Sequence, residues 1–472
     1  MNIFFEKILY LMFLVFLLYF LLLTAFYLFL SLVGFIEGKR RSWESQEEDY
    51  PLTYLSSIAI PVSIIIPARN EEEWIRDSLL SVLNLNYPKL EVIIVDDDSM
   101  DRTFEIISEM LELKAVDLPY VKHHKDGLVR TVLKSEKYKN VIVIRKVAGT
   151  KKAGAVNSGL NFAKNEYVCV VDADTVLEQN ALLKVMAHVE REPDKVIGMG
   201  SYFGLSNDLK IKDGIILGRD FSFNPIIAYQ NLEYIRSFIG NRIGWSKYNA
   251  MPVVAGGFNV WRRDILYDLG GYSLDFTCED IEFTFRAHDY LAKNKGKGYK
   301  IIMLPYSVGW TEGPSNVPSL ILQRSRWQRV TDETVARYKY MILNPRYGWF
   351  AFLTLPYFLL YEVLGVFFEI TSVIFMVCGL IFGVLDIKVF LAFMLFMILS
   401  QVIISLLSVF SFLRVQRLFP LRYIAYLIFL SFIEFFWYRW VLSTAKLVGT
   451  YTYFKGVKEH DQYKRAKRIP AS

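Results

Sequence analysis

The chain has 472 residues, of which 53% are hydrophobic and 16% aromatic, while 22% are charged. This apolar content excludes a soluble enzyme of ordinary composition. Because 22% of the residues are nevertheless charged, the apolar and polar segments must be separated along the chain. The net charge of +6 is carried largely beside the apolar segments, which indicates contact with lipid headgroups and argues against a nucleic-acid partner. The 3 cysteines show no CxxC spacing, so neither a disulfide framework nor a zinc site is predicted.

The first apolar segment lies at the N-terminus. It falls within residues 1–38, is long enough to cross a bilayer, and is not followed by a small-residue cleavage site, so we predict a transmembrane anchor. Lys39-Arg40-Arg41 comes next, and basic runs of this kind mark the cytoplasmic side of membrane helices. Residues 39–60 are predicted to link the anchor to a cytoplasmic domain.

Residues 61–315 have the composition of a globular domain and alternate short apolar runs with helical patterns. This alternation predicts an α/β domain with a parallel sheet, whose ligands bind at the carboxyl ends of the strands. No GxGxxG or GxxxxGK[ST] motif is present, so neither a dinucleotide site nor a P-loop is supported. Strands are predicted at 62–66, 90–95, 141–145 and 167–172, with a polar excursion at 114–140 and an insert helix at 229–243.

Asp172 and Asp174 stand at the end of the last of these strands. Residues i and i+2 of a strand point to the same side, so the two carboxylates can face one point. Carboxylate oxygens suit hard cations such as Mg²⁺ or Mn²⁺, which also bind substrate phosphates. The alternative for so short a motif is a solvated turn that caps the following helix.

Further motifs occur in order around this pair. They are Pro67-Ala-Arg-Asn-Glu71, Val95-Asp-Asp-Asp-Ser99, Lys152-Ala-Gly-Ala-Val-Asn157, Ala255-Gly-Gly-Phe258, Cys278-Glu-Asp280 and Gln323-Arg-Ser-Arg-Trp327. Together they resemble the family 2 glycosyltransferases, specifically the membrane-embedded branch that includes cellulose, chitin, hyaluronan and poly-N-acetylglucosamine synthases. The resemblance covers residues 62–329. It departs from the family pattern at Asp98, where glycine is usual, and at Cys278, where threonine is usual.

The resemblance implies a GT-A-like fold for the globular domain, with a nucleotide sugar at its strand ends. Asp174 and Asp172 would hold Mg²⁺ or Mn²⁺. Lys152 would offset the charge of the donor diphosphate, since a cation is not otherwise favoured at a helix N-terminus. The nucleotide-sugar-binding residues that it implies are Pro67, Arg69, Glu71, Asp96, Asp97, Lys152, Asp172, Gln323, Arg326 and Trp327.

The acidic pair in Cys278-Glu-Asp280 is the predicted centre of catalysis. An inverting transfer needs a carboxylate that takes the acceptor proton, and we predict that Asp280 is this base while Glu279 orients the site. The alternative is a pair of N-capping residues at a helix over 280–294. Gly256 and Gly257 would let the backbone approach the acceptor sugar closely.

Gln323, Arg326 and Trp327 are spaced i, i+3 and i+4, so they share one face of a helix predicted within residues 316–348. By the resemblance, Arg326 acts in catalysis by stabilising the leaving group, and Trp327 stacks on the acceptor sugar. Other faces of this helix carry Arg324, Arg329, Arg337 and Lys339, for which we expect contact with lipid phosphates. A surface amphipathic helix without a catalytic role is the alternative.

Residues 349–454 are apolar with charged interruptions. Two membrane crossings are predicted, at 350–384 and 389–413, because they place the following arginines in the cytoplasm. The segment from residue 423 onward carries further charges, which predicts an interfacial or re-entrant helix. The basic tail, residues 455–472, is then cytoplasmic.

The sequence thus predicts a multi-pass enzyme of the cell membrane that transfers a sugar from a UDP-sugar to a growing polysaccharide or a lipid-linked acceptor. A polymer channel would need a small membrane partner or a second copy, since few membrane segments are present, whereas single-sugar transfer to a lipid needs no channel. A sugar-phosphate nucleotidyltransferase is disfavoured because its glycine-rich loop is missing. A transporter is disfavoured because it would need many more spans.

Overall fold

The computed structural model describes residues 3–46, 59–147, 149–219, 221–415 and 419–457. Runs rich in valine and isoleucine form strands between amphipathic helices, as their alternation predicts. The strands are β1 (Val62–Ala68), β2 (Leu90–Asp96), β3 (Leu113–Val116), β4 (Val129–Ser135), β5 (Val141–Lys146), β6 (Tyr167–Val171), β7 (Val176–Leu177), β8 (Val196–Leu205), β9 (Leu209–Lys212), β10 (Ile215–Arg219), β11 (Phe258–Arg262) and β12 (Lys300–Thr311).

Helices precede, separate and follow these strands. The α-helices are Ile3–Gln46, Ile75–Leu83, Thr103–Leu111, Lys151–Phe162, Ala181–Arg191, Pro225–Tyr234, Ile243–Lys247, Arg263–Asp268, Glu279–Lys293, Val317–Arg337, Leu355–Tyr357, Gly365–Ile381, Ile387–Val415, Leu421–Ile433 and Tyr438–Phe454. Wider π-helical turns occur at Ile235–Arg242, Phe350–Thr354 and Phe358–Val363, and 3₁₀ turns at Lys295–Lys297, Lys339–Met341, Pro345–Tyr347 and Glu434–Phe436.

Ten strands form one mixed sheet in the order β3-β4-β5-β2-β1-β6-β11-β8-β12-β7. β5, β2, β1 and β6 run parallel to one another, and β8 runs parallel to β12. β11 is antiparallel to both of its neighbours and joins these two parallel groups. The strands of the parallel centre are almost fully buried, which is typical of a sheet covered on both faces. The predicted α/β class is confirmed.

Two regions differ from the sequence predictions. The polar excursion at 114–140 contains β4 and most of β3, an antiparallel pair at the sheet edge. Their side chains are mostly exposed or half-buried, so the pattern of a buried strand is missing from the sequence. The N-terminal helix continues to Gln46, so residues 39–46 of the predicted linker are helical, and residues 47–58 lie outside the described part of the chain.

The apolar segments form helices of membrane-spanning length. In the described ranges, Lys7–Ser42 and Ile387–Val415 are each long and apolar enough to cross a membrane. Two bent helix pairs reach this length together, one spanning 350–381 with a 48° bend and one spanning 421–454 with a 57° bend. The second bend falls in the segment that the sequence predicts to be interfacial or re-entrant.

The N-terminal helix is attached to the globular domain near its C-terminal end. Arg41 donates hydrogen bonds to Ser246, at 3.2 Å, and to the backbone oxygen of Met303 on β12. The backbone oxygen of Arg41 accepts a hydrogen bond from Tyr306 of the same strand. The N-terminal helix and the sheet are therefore joined by direct contacts.

The same helix also packs closely against the insert, whose helical residues are 225–247. A Cβ on Gly34 would lie 2.1 Å from the backbone oxygen of Gly240, so the two backbones approach as closely as two glycines allow. The insert helix predicted at 229–243 is present and includes the π-helical turn over 235–242. Through this contact the insert is held against the N-terminal helix.

We expect Gly34→Ala to destabilise the protein, because the added Cβ meets backbone that cannot move aside. The expected loss is about 1–3 kcal/mol in the free energy of unfolding, seen as a lower melting temperature in detergent. Gly38→Ala is the matched control on the same helix, since its Cβ would meet only the Ile243 side chain at 3.7 Å. Equal melting temperatures for the two variants would contradict the close packing at Gly34.

Candidate active site

The carboxyl ends of β1, β2 and β6 open onto one large cavity. Its volume is about 1350 Å³, and it extends from these strand ends to the helices of membrane-spanning length. The predicted site residues line it, with the exception of Asp96. Those that line it are Pro67, Arg69, Glu71, Asp97, Lys152, Asp172, Asp174, Gly256, Gly257, Glu279, Asp280, Gln323, Arg326 and Trp327.

Asp96 and Asp97 follow one another at the end of β2 but have different surroundings. Asp96 is fully buried, which raises the pKa of its carboxyl, and it accepts hydrogen bonds from the Ser99 backbone N–H and from Arg145, each at 3.3 Å. Asp97 reaches the cavity and pairs with the ammonium of Lys146 at 2.6 Å. Asp96 therefore supports the turn from the interior, while the Asp97 side chain borders the cavity although it is only 5% exposed.

Residues with left-handed backbone conformation lie near the end of the cavity that is formed by the strand ends. Asn70, Asp98 and Lys151 have φ angles of 56°, 60° and 55°. Glycine is favoured in this conformation because it has no Cβ, which explains why the resembling family usually has glycine at the position of Asp98. Here the Asp98 carboxylate pairs with Arg130 of β4 at 2.8 Å, so β4 contacts the turn.

Lys152 lies at the centre of the site. Its ammonium is 2.6 Å from Asp172 and 2.9 Å from Glu279, and it donates to the backbone oxygen of Gly256 at 3.3 Å. A Cβ on Gly256 would lie 3.1 Å from that ammonium and 3.3 Å from the Glu279 carboxylate, so any side chain here would crowd both groups. One lysine thus joins the end of β6, the glycine turn and the acidic motif.

The charged groups at this centre shift one another's pKa values. Burial raises the pKa of Asp172 to about 6, with a further contribution from Asp174 and an opposing one from Lys152. Burial lowers the pKa of Lys152, but Asp172 and Glu279 outweigh it, and the pKa lies well above its ordinary value. Lys152 is therefore charged at neutral pH, and negative charge remains in excess around it.

Asp172 and Asp174 present a donor set that fits a divalent cation. Asp174 lines the cavity and accepts a hydrogen bond from Thr311 at 3.1 Å. Its charge raises the pKa of Asp172, so a cation between the two carboxylates would relieve their repulsion. Across the described residues no group of three or more His, Cys, Asp and Glu could hold a metal. A pair of carboxylates completed by substrate phosphates is the coordination that Mg²⁺ commonly adopts.

Asp280 lies in the first turn of the helix Glu279–Lys293. One carboxylate oxygen accepts the Gly256 backbone N–H at 2.9 Å, and the other accepts the Ile281 backbone N–H at 2.8 Å. Burial and the neighbouring Glu279 raise the pKa of Asp280, while Lys152 and the two N–H groups oppose the shift. A carboxylate that is oriented in this way and has a raised pKa is suited to accept a proton.

Gln323, Arg326 and Trp327 lie on the helix Val317–Arg337 and all line the cavity, as their spacing predicts. Trp327 is 39% exposed, which leaves its ring open for stacking. The lipid contact predicted for Arg324 is wrong. Its guanidinium is buried, pairs with Glu233 of the insert at 2.8 Å, and lies 4.1 Å from the centre of the Trp327 ring. Arg324 therefore supports the tryptophan.

Sequence reasoning missed Lys146, Thr311 and Arg242. Lys146 ends β5, which runs parallel to β2, so the strand-end argument extended to β5 would have found it. Arg242 lies in the insert and lines the cavity; burial lowers its pKa to about 10, and the charge of Asp280 opposes this shift. No local pattern marks Arg242, because its relation to Asp280 depends on how the insert folds back.

A lysine and two closely spaced aspartates in one cavity at the strand ends suit a nucleotide sugar as the ligand. The mixed sheet is of the GT-A type, so the fold is that of a sugar transferase. The family model described as "Glycosyl transferase family 2" matches residues 63–270. A second family model, "Glycosyl transferase family group 2", matches residues 167–442. The chain therefore belongs to the family 2 glycosyltransferases.

Similar proteins are known both by sequence and by structure. "Probable glycosyltransferase YdaM" of Bacillus subtilis (strain 168) is 29% identical over 336 residues, which are 67% of this chain and 68% of that protein. "Poly-beta-1,6-N-acetyl-D-glucosamine synthase" of Staphylococcus epidermidis is 29% identical over 277 residues, which are 58% of this chain but only 56% of that synthase. The solved structure of mannosyltransferase PcManGT from Pyrobaculum calidifontis, in complex with GDP-Man and Mn2+, has a TM-score of 0.49 at 17% identity, covering 88% of this chain and 99% of that one.

We expect Lys146→Met to destabilise the protein strongly, because it removes the close cation of the buried Asp97 carboxylate and leaves only Arg69, at 3.8 Å. The Lys146 side chain is 0% exposed and that of Asp97 is 5% exposed. The expected loss is about 3–5 kcal/mol in the free energy of unfolding, measured by denaturation in detergent. Arg130→Gln is the control, since its pair with Asp98 is partly exposed and should contribute less than about 1 kcal/mol. A loss for Lys146→Met as small as that of the control would sink the buried-pair argument.

Proposed function

We propose that the protein is an inverting, metal-dependent glycosyltransferase that moves a sugar from a UDP-sugar to a growing polysaccharide. The observation that carries this proposal is the position of Asp280. Its oriented carboxylate shares one cavity with Lys152 and with the Asp172 and Asp174 pair. A donor whose diphosphate lies at the strand ends can therefore present its sugar to a base.

The donor site is formed by the ends of β1 and β2. Asp97 offers a carboxylate oxygen to the uracil or ribose of the donor, and Arg69 lies 3.8 Å from the same carboxylate. Pro67 and Glu71 line the adjoining wall. Asp96 contributes indirectly, because it fixes the turn that carries Asp97.

The diphosphate site lies between Lys152 and the carboxylate pair. Lys152 offsets diphosphate charge, and Asp174 and Asp172 would hold the Mg²⁺ or Mn²⁺ ion. When bound, this ion supplies Lewis-acid stabilisation of the departing diphosphate. Because Lys152 is already paired with Asp172 and Glu279, the donor diphosphate joins an existing network of charged side chains when it binds.

In the transfer step, Asp280 takes the proton of the acceptor hydroxyl as its oxygen attacks the anomeric carbon. The bond to the nucleoside diphosphate breaks on the opposite face, which inverts the configuration. Arg326 opposes the negative charge that develops on the leaving group. Glu279 keeps Lys152 in place, and Trp327 stacks on the acceptor sugar beside the Gly256 turn.

The membrane end of the cavity supports a polysaccharide acceptor. The walls there include ion-paired side chains such as Glu369 and Lys446 between the helices of membrane-spanning length. A hydroxyl-rich polymer suits such walls, whereas the tail of a lipid-linked acceptor favours apolar ones. Single-sugar transfer to a lipid is therefore the weaker candidate.

The membrane arrangement that accompanies this function is a multi-pass protein of the cell membrane with its catalytic domain in the cytoplasm. The basic run after the first apolar segment supports this orientation, and membrane lipids contact the apolar helices. A small membrane partner or a second copy would complete the passage for the polymer. Nucleic acid has no part in this function.

We expect Asp280→Asn to abolish sugar transfer while leaving UDP binding intact. Asparagine keeps an oxygen for the Gly256 N–H but cannot accept the proton. The expected fall in kcat is at least about 100-fold, measured as UDP release with acceptor present. Asp289→Asn, on the same helix but outside the cavity lining, is the control and should retain activity.

The pH profile of the wild-type protein provides a second measurement of the same residue. Because the pKa of Asp280 is raised, the rate should increase with pH along an acidic limb that lies above the ordinary aspartate value of 3.8. Retained transfer by Asp280→Asn would reject Asp280 as the base, whatever the pH profile shows.

We expect chelation by EDTA to stop UDP release, and added Mg²⁺ or Mn²⁺ to restore it. Asp174→Asn should raise the metal concentration needed for half-maximal rate by about 10-fold or more, because it removes a charged oxygen ligand. Asp194→Asn, at an exposed position, is the control. Full activity of the chelated protein would contradict metal dependence.

A further inference from the structure

The carboxylate of Glu233, on the insert, contacts two other helices. Its Oε2 accepts a hydrogen bond from Nη2 of Arg324, on the helix Val317–Arg337, at 2.8 Å. The same oxygen accepts a second hydrogen bond from the hydroxyl of Tyr438, in the first turn of the helix Tyr438–Phe454, at 2.6 Å. The Arg324 side chain is 8% exposed, and Tyr438 is fully buried. One carboxylate of the insert therefore fixes the position of Arg324 relative to both helices.

Arg324 in turn contacts two of the predicted site residues. Its Nη1 donates a hydrogen bond to Oε1 of Gln323 at 3.0 Å, and the centre of its guanidinium lies 4.1 Å from the centre of the Trp327 ring. A planar guanidinium can stack on an aromatic ring and donate hydrogen bonds from its edge at the same time, which an ammonium group cannot. Arg324 therefore links two side chains that both line the cavity.

The hydrogen bond from Arg324 also decides which way the Gln323 amide faces. A guanidinium carries only donors, so the amide turns its oxygen towards Arg324 and its NH2 group away from it. Gln323 lines the cavity and is only 7% exposed. Its amide can then donate hydrogen bonds to an oxygen of the acceptor sugar or of the diphosphate.

We propose that Glu233 and Arg324 are positioning residues for the acceptor end of the site. Glu233 holds Arg324 in place, and Arg324 holds the Trp327 ring for stacking and the Gln323 amide as a hydrogen-bond donor. This inference rests on the proposed function, because it requires that Trp327 stacks on the acceptor sugar. The insert, and not only the helix that carries Gln323 and Trp327, then determines how tightly the acceptor binds.

A purely structural role is the alternative for this pair. In that case Arg324 only neutralises the Glu233 carboxylate, since a buried charge that has lost its partner is strongly destabilising. The two roles differ in what can replace the arginine. Any cation that reaches Glu233 serves the structural role, whereas positioning requires the planar guanidinium.

Arg324→Lys separates the two roles, because lysine keeps a positive charge for Glu233 but has no planar group to stack on Trp327. The purified full-length protein is assayed for UDP release from UDP-glucose and from UDP-N-acetylglucosamine, with tetrasaccharides of the same sugars as acceptors and with Mg²⁺ or Mn²⁺ present. For the donor and acceptor that react fastest, we expect Arg324→Lys to raise the KM for the tetrasaccharide at least about 10-fold, with smaller changes in kcat and in the KM for the donor. A wild-type KM for the tetrasaccharide overturns the proposal.

The double variant Glu233→Gln/Arg324→Met tests the same role without leaving an unpaired charge. It removes both charges and keeps an oxygen for the Tyr438 hydroxyl, so it should remain folded. We expect the same rise in KM for the tetrasaccharide as in Arg324→Lys, because neither variant presents a guanidinium to Trp327. Arg337→Lys, at an exposed position of the same helix, is the matched control and should have wild-type KM values.

Melting temperatures in detergent show whether the variants are folded. Loss of folding in both Arg324→Lys and the double variant would assign the pair a structural role and overturn the proposal, as would a wild-type KM in the folded double variant. UDP release that no tetrasaccharide accelerates would overturn it too. A failure of the proposed function shows differently, as no UDP release from any UDP-sugar by the wild-type protein.

Discussion

The ammonium of Lys152 is the contact on which the active site depends. Asp172, Glu279 and the turn at Gly256 come from parts of the chain that are far apart in sequence, and each would repel or crowd the others without a cation between them. Because the lysine is only 27% exposed and multiply paired, it fixes the end of β6 relative to the helix that begins with Glu279. Asp280, which we propose as the base, is positioned through the same glycine turn.

The parts of this site that follow from local pattern were predictable. Short apolar runs reveal the parallel strands, the carboxyl ends of such strands share one sheet edge, and the i, i+3, i+4 spacing puts Gln323, Arg326 and Trp327 on one helix face. What could not be predicted depends on distant partners. Arg324 has the sequence context of a surface arginine, yet the insert brings Glu233 to it, and no periodicity encodes that meeting.

Charged residues in the last apolar region show a similar limit of prediction from the sequence. Read along the chain, Glu434, Arg439 and Lys446 interrupt a hydrophobic segment and favour a helix at the membrane surface. In the structure each is paired with an opposite charge from another segment and faces the cavity. Charges inside a helical bundle are commonly paired with one another, and composition alone does not reveal such partners.

The attachment of Arg41 to β12 has a mechanical consequence. Since the N-terminal helix bonds to Ser246, Met303 and Tyr306, this helix and the sheet cannot move independently of each other. The cavity between the strand ends and the helices of membrane-spanning length therefore keeps one fixed alignment, because both of its sides belong to the same frame.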